Sequence, residues 1–309
     1  RIAVDDNFFE LGGHSLTAVE LAARLRDVLG QAVTVREVFE FPTIGGLAEA
    51  VRSRVQGVPA RDLPPIPPAA RKGREPLSVA QEPLFSLSQL FGGGDFLNMP
   101  YAYRLDGPLD LAALRRAIQE IVRRHEALRT GFLDGAVGPR AFVRRRAKTR
   151  LALVDLSGLA ERQKQIKLEQ ISKRDAAQSF DLEKPPLLRT KLLRCAEARH
   201  ILLVTTHHMI SDQASMDVFR TELAALYDAF SRELPSPLGE PGIQFADFAR
   251  WQRESIGNGM FQPQIAYWLK QLGTPARPFE LRRGGTRKRA IRFRSARRPI
   301  AIREELFAS

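Results

Sequence analysis

Two stretches of the 309-residue sequence bring together side chains that can do chemistry. The first is Asp5-Asp6-Asn7-Phe8-Phe9-Glu10-Leu11-Gly12-Gly13-His14-Ser15-Leu16. Two glycines and a serine lead into an apolar-periodic run, which puts the Ser15 hydroxyl at a helix N-terminus. There it can cap the helix. It can equally bear a phosphate ester, because the unpaired N–H groups and the helix dipole favour an anion. The second stretch is His207-His208-Met209-Ile210-Ser211-Asp212-Gln213. It joins an apolar, strand-like run to a helical pattern that begins near Met216. A histidine on such a loop suits a general base. The same pair also suits a structural role. No further His or Cys stands at ligand spacing, so no metal is expected.

The elements that must position these residues fall into three zones. In residues 1–56 the apolar set Leu16, Val19, Leu21, Leu25, Val28 and Leu29 recurs at helical spacing, with Gly30 where a stop is expected. Val35, Val38 and Phe39 follow. Pro42-Thr43 then opens a further helix with Leu47, Ala50 and Val51 on one face. The zone reads as a small all-α helical bundle. Residues 57–75 are rich in proline and charge with no apolar period, which reads as a semi-rigid linker. Residues 76–309 mix helices over 111–122 and 216–230 with strands over 141–143, 151–153, 187–193 and 201–206, an α/β pattern. The last strand is apolar throughout and is expected to be buried on both faces.

The net charge of +13 raises nucleic acid as a partner. Nine Arg or Lys residues with no acid lie between Arg282 and Arg298, where Ile291 and Phe293 alternate with arginine. This reads as a solvated or partner-facing strand, and no nucleic-acid motif accompanies it. The single cysteine, Cys195, excludes an internal disulfide and fits a reducing, cytoplasmic setting. There is no apolar run long enough for a membrane helix and no signal peptide at the N-terminus.

The first stretch resembles the peptidyl carrier signature DxFFxLGGxSL of nonribosomal peptide synthetases. By that resemblance Ser15 bears 4′-phosphopantetheine, whose thiol carries an acyl or peptidyl thioester. The second resembles the HHxxxDG motif of condensation domains, and other motifs of that family follow its order. Ser78-Val79-Ala80-Gln81 is similar to SxAQ, and residues 124–132 are similar to RHExLRTxF. The stretches Phe180-Asp181-Leu182 with Pro186-Leu187-Leu188-Arg189, and 243–252, are similar to FDLxxxPLLR and YxDYAxWQ. The resemblance implies that His208 is catalytic, that His207 is structural, and that Asp212 is a structural carboxylate paired with an arginine, with Arg129 as the candidate. Gln213 stands where the family has glycine.

The expected organisation is a peptidyl carrier domain over 1–56 without its first helix, a linker over 57–75 and a condensation domain over 76–309. The latter is expected to be a chloramphenicol-acetyltransferase-like lobe with its C-terminal lobe truncated, so that the piece alone lacks part of the active tunnel. The implied reaction is amide formation between the carrier-bound acyl group and a downstream aminoacyl thioester. The implied partners are adenylation and carrier domains on either side and a phosphopantetheinyl transferase. The competing reading is a carrier joined to a condensation-like domain that only docks or gates.

Overall fold

The computed structural model describes residues 2–29, 33–53, 64–136 and 138–273, the side chains of Arg26 and Asp27 excepted. The Gly30 helix stop and the basic run from Arg282 to Arg298 lie outside the described residues. The chain divides into two compact units, Arg1–Pro65 and Ile66–Ser309, and the division falls within the expected linker.

In the first unit three helices, α1 (Ser15–Leu29), α2 (Val35–Glu40) and α3 (Ile44–Ser53), close over a small core of Ala18, Ala22, Val33, Val38 and Leu47. Phe8, Phe9, Leu21 and Leu25 pack against it. The buried stripe of α1 is not the one its largest apolar residues suggest. Leu16 and Val19 are 47% and 51% exposed and Val28 is 81% exposed, whereas Ala18 and Ala22 are fully buried. The α1 and α2 helices pack against each other, and small side chains on that face let two short helices approach closely. Thr34 starts α2 with a capping box, accepting from the Glu37 N–H at 3.2 Å while the Glu37 carboxylate accepts from the Thr34 N–H at 2.7 Å.

The second unit is built on a four-stranded sheet in the order β2 (Asn98–Asp106), β7 (Arg199–His207), β6 (Leu188–Ala196), β5 (Leu151–Asp155). Only the β5–β6 pair is parallel. On one face lie α5 (Leu111–Arg124) and α7 (Gln213–Ser231), packed against each other. Asp110 caps α5 by accepting from the N–H groups of Ala112 and Ala113 at 2.8 and 3.0 Å. Ala113, Leu114, Ala117, Ile118, Ile121 and Val122 form its buried stripe. Leu202 and Val204 of β7 join this core, while Leu203 joins a smaller cluster with Leu156 and Leu193 on the other face. That second cluster is roofed by Leu168 and Ile171 of α6 (Glu161–Ala177). As expected, β7 is buried on both faces, from Leu202 to His207.

A three-stranded sheet, β1 (Glu75–Pro76), β4 (Arg140–Val143), β3 (Thr130–Leu133), lies beside α4 (Gln81–Leu90) and α8 (Phe245–Gly257), and α9 (Gln262–Leu272) ends the described residues. The end of the expected linker is bonded into this unit. Arg71 reaches Glu126 and Asp247, each at 2.5 Å, and the Ala69 N–H donates to Asp247 at 3.0 Å. The buried Glu75 pairs with Arg250. Burial opposes the charge of Asp247, but Arg71 and the N–H groups of Gln244 and Ala69 outweigh it and hold its carboxyl below the usual range.

Candidate functional site

At the start of α1 the hydroxyl of Ser15 is exposed and makes no hydrogen bond among the described residues. Capping falls instead to its neighbours. The His14 N–H donates to Thr17 Oγ1 at 2.8 Å, and Thr17 Oγ1 donates back to the His14 carbonyl at 2.8 Å. The Thr17 N–H points to His14 Nδ1 at 3.4 Å. Ser15 thus does not act as the helix cap, and its oxygen stays available for an ester. The approach is glycine-dependent. Gly12 sits at φ +94°, and a Cβ on Gly13 would lie 2.4 Å from the Phe8 ring. This arrangement suits a covalent 4′-phosphopantetheine on Ser15, with the start of α1 beside the phosphate.

The second site lies where β7 runs out. His207, the last residue of β7, is 2% exposed with its ring edge-on to Phe180. Its Nδ1 accepts from the Met209 N–H at 3.2 Å, which requires the neutral ring. Burial, aided by His208, pushes its pKa down to about 4. Because the folded value lies below the ordinary value of about 6.5, the unfolded chain binds the proton first. The associated stability is complete above about pH 6.5, falls as pH drops towards 4, and amounts to roughly 3 kcal/mol in all. Urea unfolding of the protein between pH 7 and pH 4.5 is expected to show this loss, and His207→Asn to flatten it. Equal slopes for the two proteins would contradict the assignment.

His208 is exposed, with its backbone N–H tied to the Leu97 carbonyl at 2.8 Å. Its Nδ1 lies 2.9 Å from the Ser211 carbonyl oxygen. A carbonyl only accepts, so Nδ1 carries the hydrogen, and whenever the ring is neutral its lone pair is on Nε2. The loop that fixes this tautomer is braced at several points. Ser211 Oγ lies 2.6 Å from Thr206 Oγ1, and the Ile210 N–H donates to the His207 carbonyl at 3.0 Å. Gln81, from the SxAQ stretch, donates its side-chain amide to the Met209 carbonyl at 2.9 Å, and it exchanges bonds with Ser78. Gln252 of the 243–252 stretch accepts from the Val79 N–H at 2.9 Å. The family-like motifs thus meet as a scaffold behind the histidine loop.

The expected pairing of Asp212 with Arg129 does not occur. Asp212 is the exposed N-cap of α7, accepting from the Ser215 N–H at 2.8 Å and the Ser215 hydroxyl at 2.6 Å. Burial disfavours its charge, and Ser215 with nearby His208 more than compensates, so its pKa lies below the ordinary value. Arg129 is spent on main-chain carbonyls, those of Val122 at 3.0 Å, Arg123 at 3.1 Å and Arg144 at 2.5 Å. Without an ion pair to break, Asp212→Ala is expected to cost about 1 kcal/mol, the loss of one cap. A loss of several kcal/mol in urea unfolding would restore the buried-pair reading.

Two residues that hold this unit together give no signal in the sequence. Arg71 reads as part of the linker, because the short basic run Arg71-Lys72-Gly73-Arg74 after the prolines belongs to no periodic pattern. Tyr101, on β2, donates its hydroxyl to Gln213 Oε1 at 3.3 Å. Its strand contains Pro100, which hides the alternation of Tyr101, Tyr103 and Leu105. Among the described residues no group of three His, Cys, Asp or Glu could hold a metal ion. No described helix is long and apolar enough to cross a membrane.

The likeness to known proteins follows the two sites. Residues 71–307 match the family described as Condensation domain, and residues 1–51 match Phosphopantetheine attachment site. A linear gramicidin synthase of Brevibacillus parabrevis has a subunit that is 40% identical over 275 residues, which is 88% of this chain and 4% of that protein. Malpinin synthetase of Mortierella alpina is 38% identical over 278 residues, 89% of this chain and 4% of that protein. The X-domain in its complex with OxyB from teicoplanin biosynthesis aligns with a TM-score of 0.63 at 29% identity, covering 74% of this chain and 50% of that one. The first condensation domain of the CDA synthetase aligns at 0.58 with 24% identity, over 67% and 52% of the two chains, a likeness of fold. The chain therefore spans only a small part of the synthetases that it matches.

Proposed function

Because the chain belongs to the condensation-domain family and has a phosphopantetheine attachment site ahead of that domain, we propose that it serves nonribosomal peptide synthesis as a carrier and the first part of an amide-forming domain. The α/β unit is read as the N-terminal lobe of a chloramphenicol-acetyltransferase-like fold. The observation that supports the reading most directly is the tautomer of His208, whose Nδ1–H is committed to Ser211 and whose Nε2 is bare.

A 4′-phosphopantetheine held on Ser15 would supply a thioester whose attack by an amine from a downstream carrier would form the C–N bond, break the C–S bond and release the thiol. His208 Nε2 accepts the proton that the amine sheds and returns one to the departing sulfur, so that no charge accumulates. Holding two tethered substrates together adds the advantage of proximity. Ser211 and the scaffold of Gln81 and Gln252 keep the ring in one orientation.

Adenylation and carrier domains on both sides would be the partners, with a phosphopantetheinyl transferase installing the arm in the cytoplasm. A domain that only docks or gates is not favoured, because the His-His-Asp set is intact. The test is reconstitution in the complete synthetase. With the donor loaded on Ser15 and an aminoacyl group on the next carrier, the downstream thioester is expected to gain the donor's mass. Unchanged masses with both carriers loaded would overturn the reading.

A further inference from the structure

One edge of the main sheet is β5, two strands away from β7 and its histidine loop. Among the described residues β5 pairs with β6 alone. Alternate residues of a parallel strand bond to the neighbouring strand. Here the Leu156 N–H donates to the Arg194 carbonyl at 2.8 Å, and the Arg150 carbonyl accepts from the Thr190 hydroxyl at 3.2 Å, so the even-numbered residues serve β6. The N–H and carbonyl groups of Leu151 and Leu153 therefore face outward. Beside them runs a groove of about 890 Å³ between β5 and α5. Its apolar lining is Ile118, Phe230 and Leu153, and Leu153 is 39% exposed.

Cations flank this edge without acidic partners. Residues 144–150 contain five Arg or Lys in seven positions and no acid. Arg115 and Arg116 of α5 line the other side of the groove. All of these cations are exposed, and none pairs with a carboxylate among the described residues. Asp155, the acid of β5, is taken up by Ser157 and Arg194. The basic segment is also pinned by its main chain. Gln119 donates to the Ala147 carbonyl at 2.8 Å and accepts from the Thr149 N–H at 3.1 Å, and Arg129 donates to the Arg144 carbonyl at 2.5 Å. The charges are thus presented from a fixed backbone beside an open strand edge. Cations that guard an edge against pairing stand on the edge strand itself, and β5 carries none.

We propose that β5 and its flanking cations form a docking edge for an extended acidic segment of a partner protein, which adds to the sheet as a further strand. The main chain of the segment bonds to Leu151 and Leu153. Its side chains alternate between the two faces. Apolar ones beside Leu153 settle on Ile118 and Phe230. Acidic ones between them meet Lys148 and Arg150, which border both this groove and a second one of about 480 Å³ on the side of Asp175 and Lys191. Charge selects the occupant. A second copy of β5 would bring the same excess of cations, and the run from Arg282 to Arg298 has no acid to offer. Nucleic acid would leave the strand edge unbonded, and the groove has one aromatic ring, Phe230, which Arg116 already covers at 4.5 Å. The inference stands apart from the thioester chemistry above.

The probe is a blocked peptide of alternating valine and glutamate, about eight residues long, titrated into the full chain. Binding is read by fluorescence anisotropy and, residue by residue, by amide hydrogen exchange. The peptide is expected to slow exchange at Leu151 and Leu153, whose N–H groups are open, and to leave Ala152 and Val154 as they were. N-methylation of all the valines, or of all the glutamates, removes the donors from one edge of the peptide. One of these two peptides is expected to bind like the parent and the other roughly tenfold more weakly. Lys148→Glu combined with Arg150→Glu is expected to lower the affinity about tenfold with an unchanged circular dichroism spectrum, since both side chains are exposed. Equal affinity for the parent and both methylated peptides overturns strand addition. So does an absence of protection at Leu151 and Leu153, or tighter binding of polyuridylate than of the peptide.

Discussion

Ser15→Ala is expected to leave the protein permanently without its prosthetic arm. Incubation with coenzyme A and a phosphopantetheinyl transferase should add one phosphopantetheine to the wild type and nothing to the variant, as read by intact mass. The effect is all-or-none because the ester needs an oxygen nucleophile at this position, and none is left after the substitution. The variant should nevertheless fold. Ser15 is exposed and unbonded among the described residues, and the capping bonds belong to His14 and Thr17. Alanine is the best helix former at the first position of α1. Unchanged far-ultraviolet circular dichroism alongside zero loading separates loss of the nucleophile from loss of the fold. Loading of the alanine variant to the wild-type extent would remove Ser15 from the site.

Strands and helices whose apolar residues are dense are legible in the sequence. The β7 strand is apolar from Ile201 to Val204, and α5 repeats alanine, leucine and isoleucine at helical spacing. Both have ends a few residues longer than those patterns, since α5 runs on through Arg123 and Arg124 and β7 extends through polar His200 and His207. The α6 helix is not legible. It covers the sheet with only a thin strip, Leu168 and Ile171, and its buried residues are Lys164 and Asp175. Asp175 is satisfied by Lys191 at 2.9 Å and by the Thr205 hydroxyl at 2.7 Å, pairings across the sheet that no local pattern announces.

The same limit explains the errors at the sites. The apolar set expected for α1 is half right: Leu21 and Leu25 pack on the core, but Leu16 and Val19 face out and the fully buried positions are Ala18 and Ala22, alanines that any helix contains. The partner expected for Asp212 is wrong because a carboxylate at a loop end has two uses, capping the next helix or pairing with a distant arginine. Ser215, three residues on, satisfies the first use locally. The reactive residues Ser15, His207 and His208 are visible through dense motifs. Their geometry is not, since tautomer and exposure depend on Ser211, Gln81 and Phe180, brought together from three separate stretches.

That geometry makes the consequence of losing His208 specific. His208→Ala is expected to lower single-turnover amide formation in the loaded synthetase by about 100- to 10,000-fold, the range for removal of a positioned acid–base group. Stability should hardly change. The ring is exposed, and its one side-chain bond is to the Ser211 carbonyl, which solvent can satisfy instead. His207 gives the opposite pattern. It is buried against Phe180 and bonded to the Met209 N–H, so its loss should appear first in urea unfolding. The pair thus offers an internal control, with one histidine governing the rate and its neighbour the fold. His208→Gln sharpens the test, because an amide can still bond to Ser211 and fill the space but cannot take up a proton at neutral pH. If His208→Gln retained more than a tenth of the wild-type rate, proton transfer at Nε2 would be excluded and His208 would act only by orienting the amine.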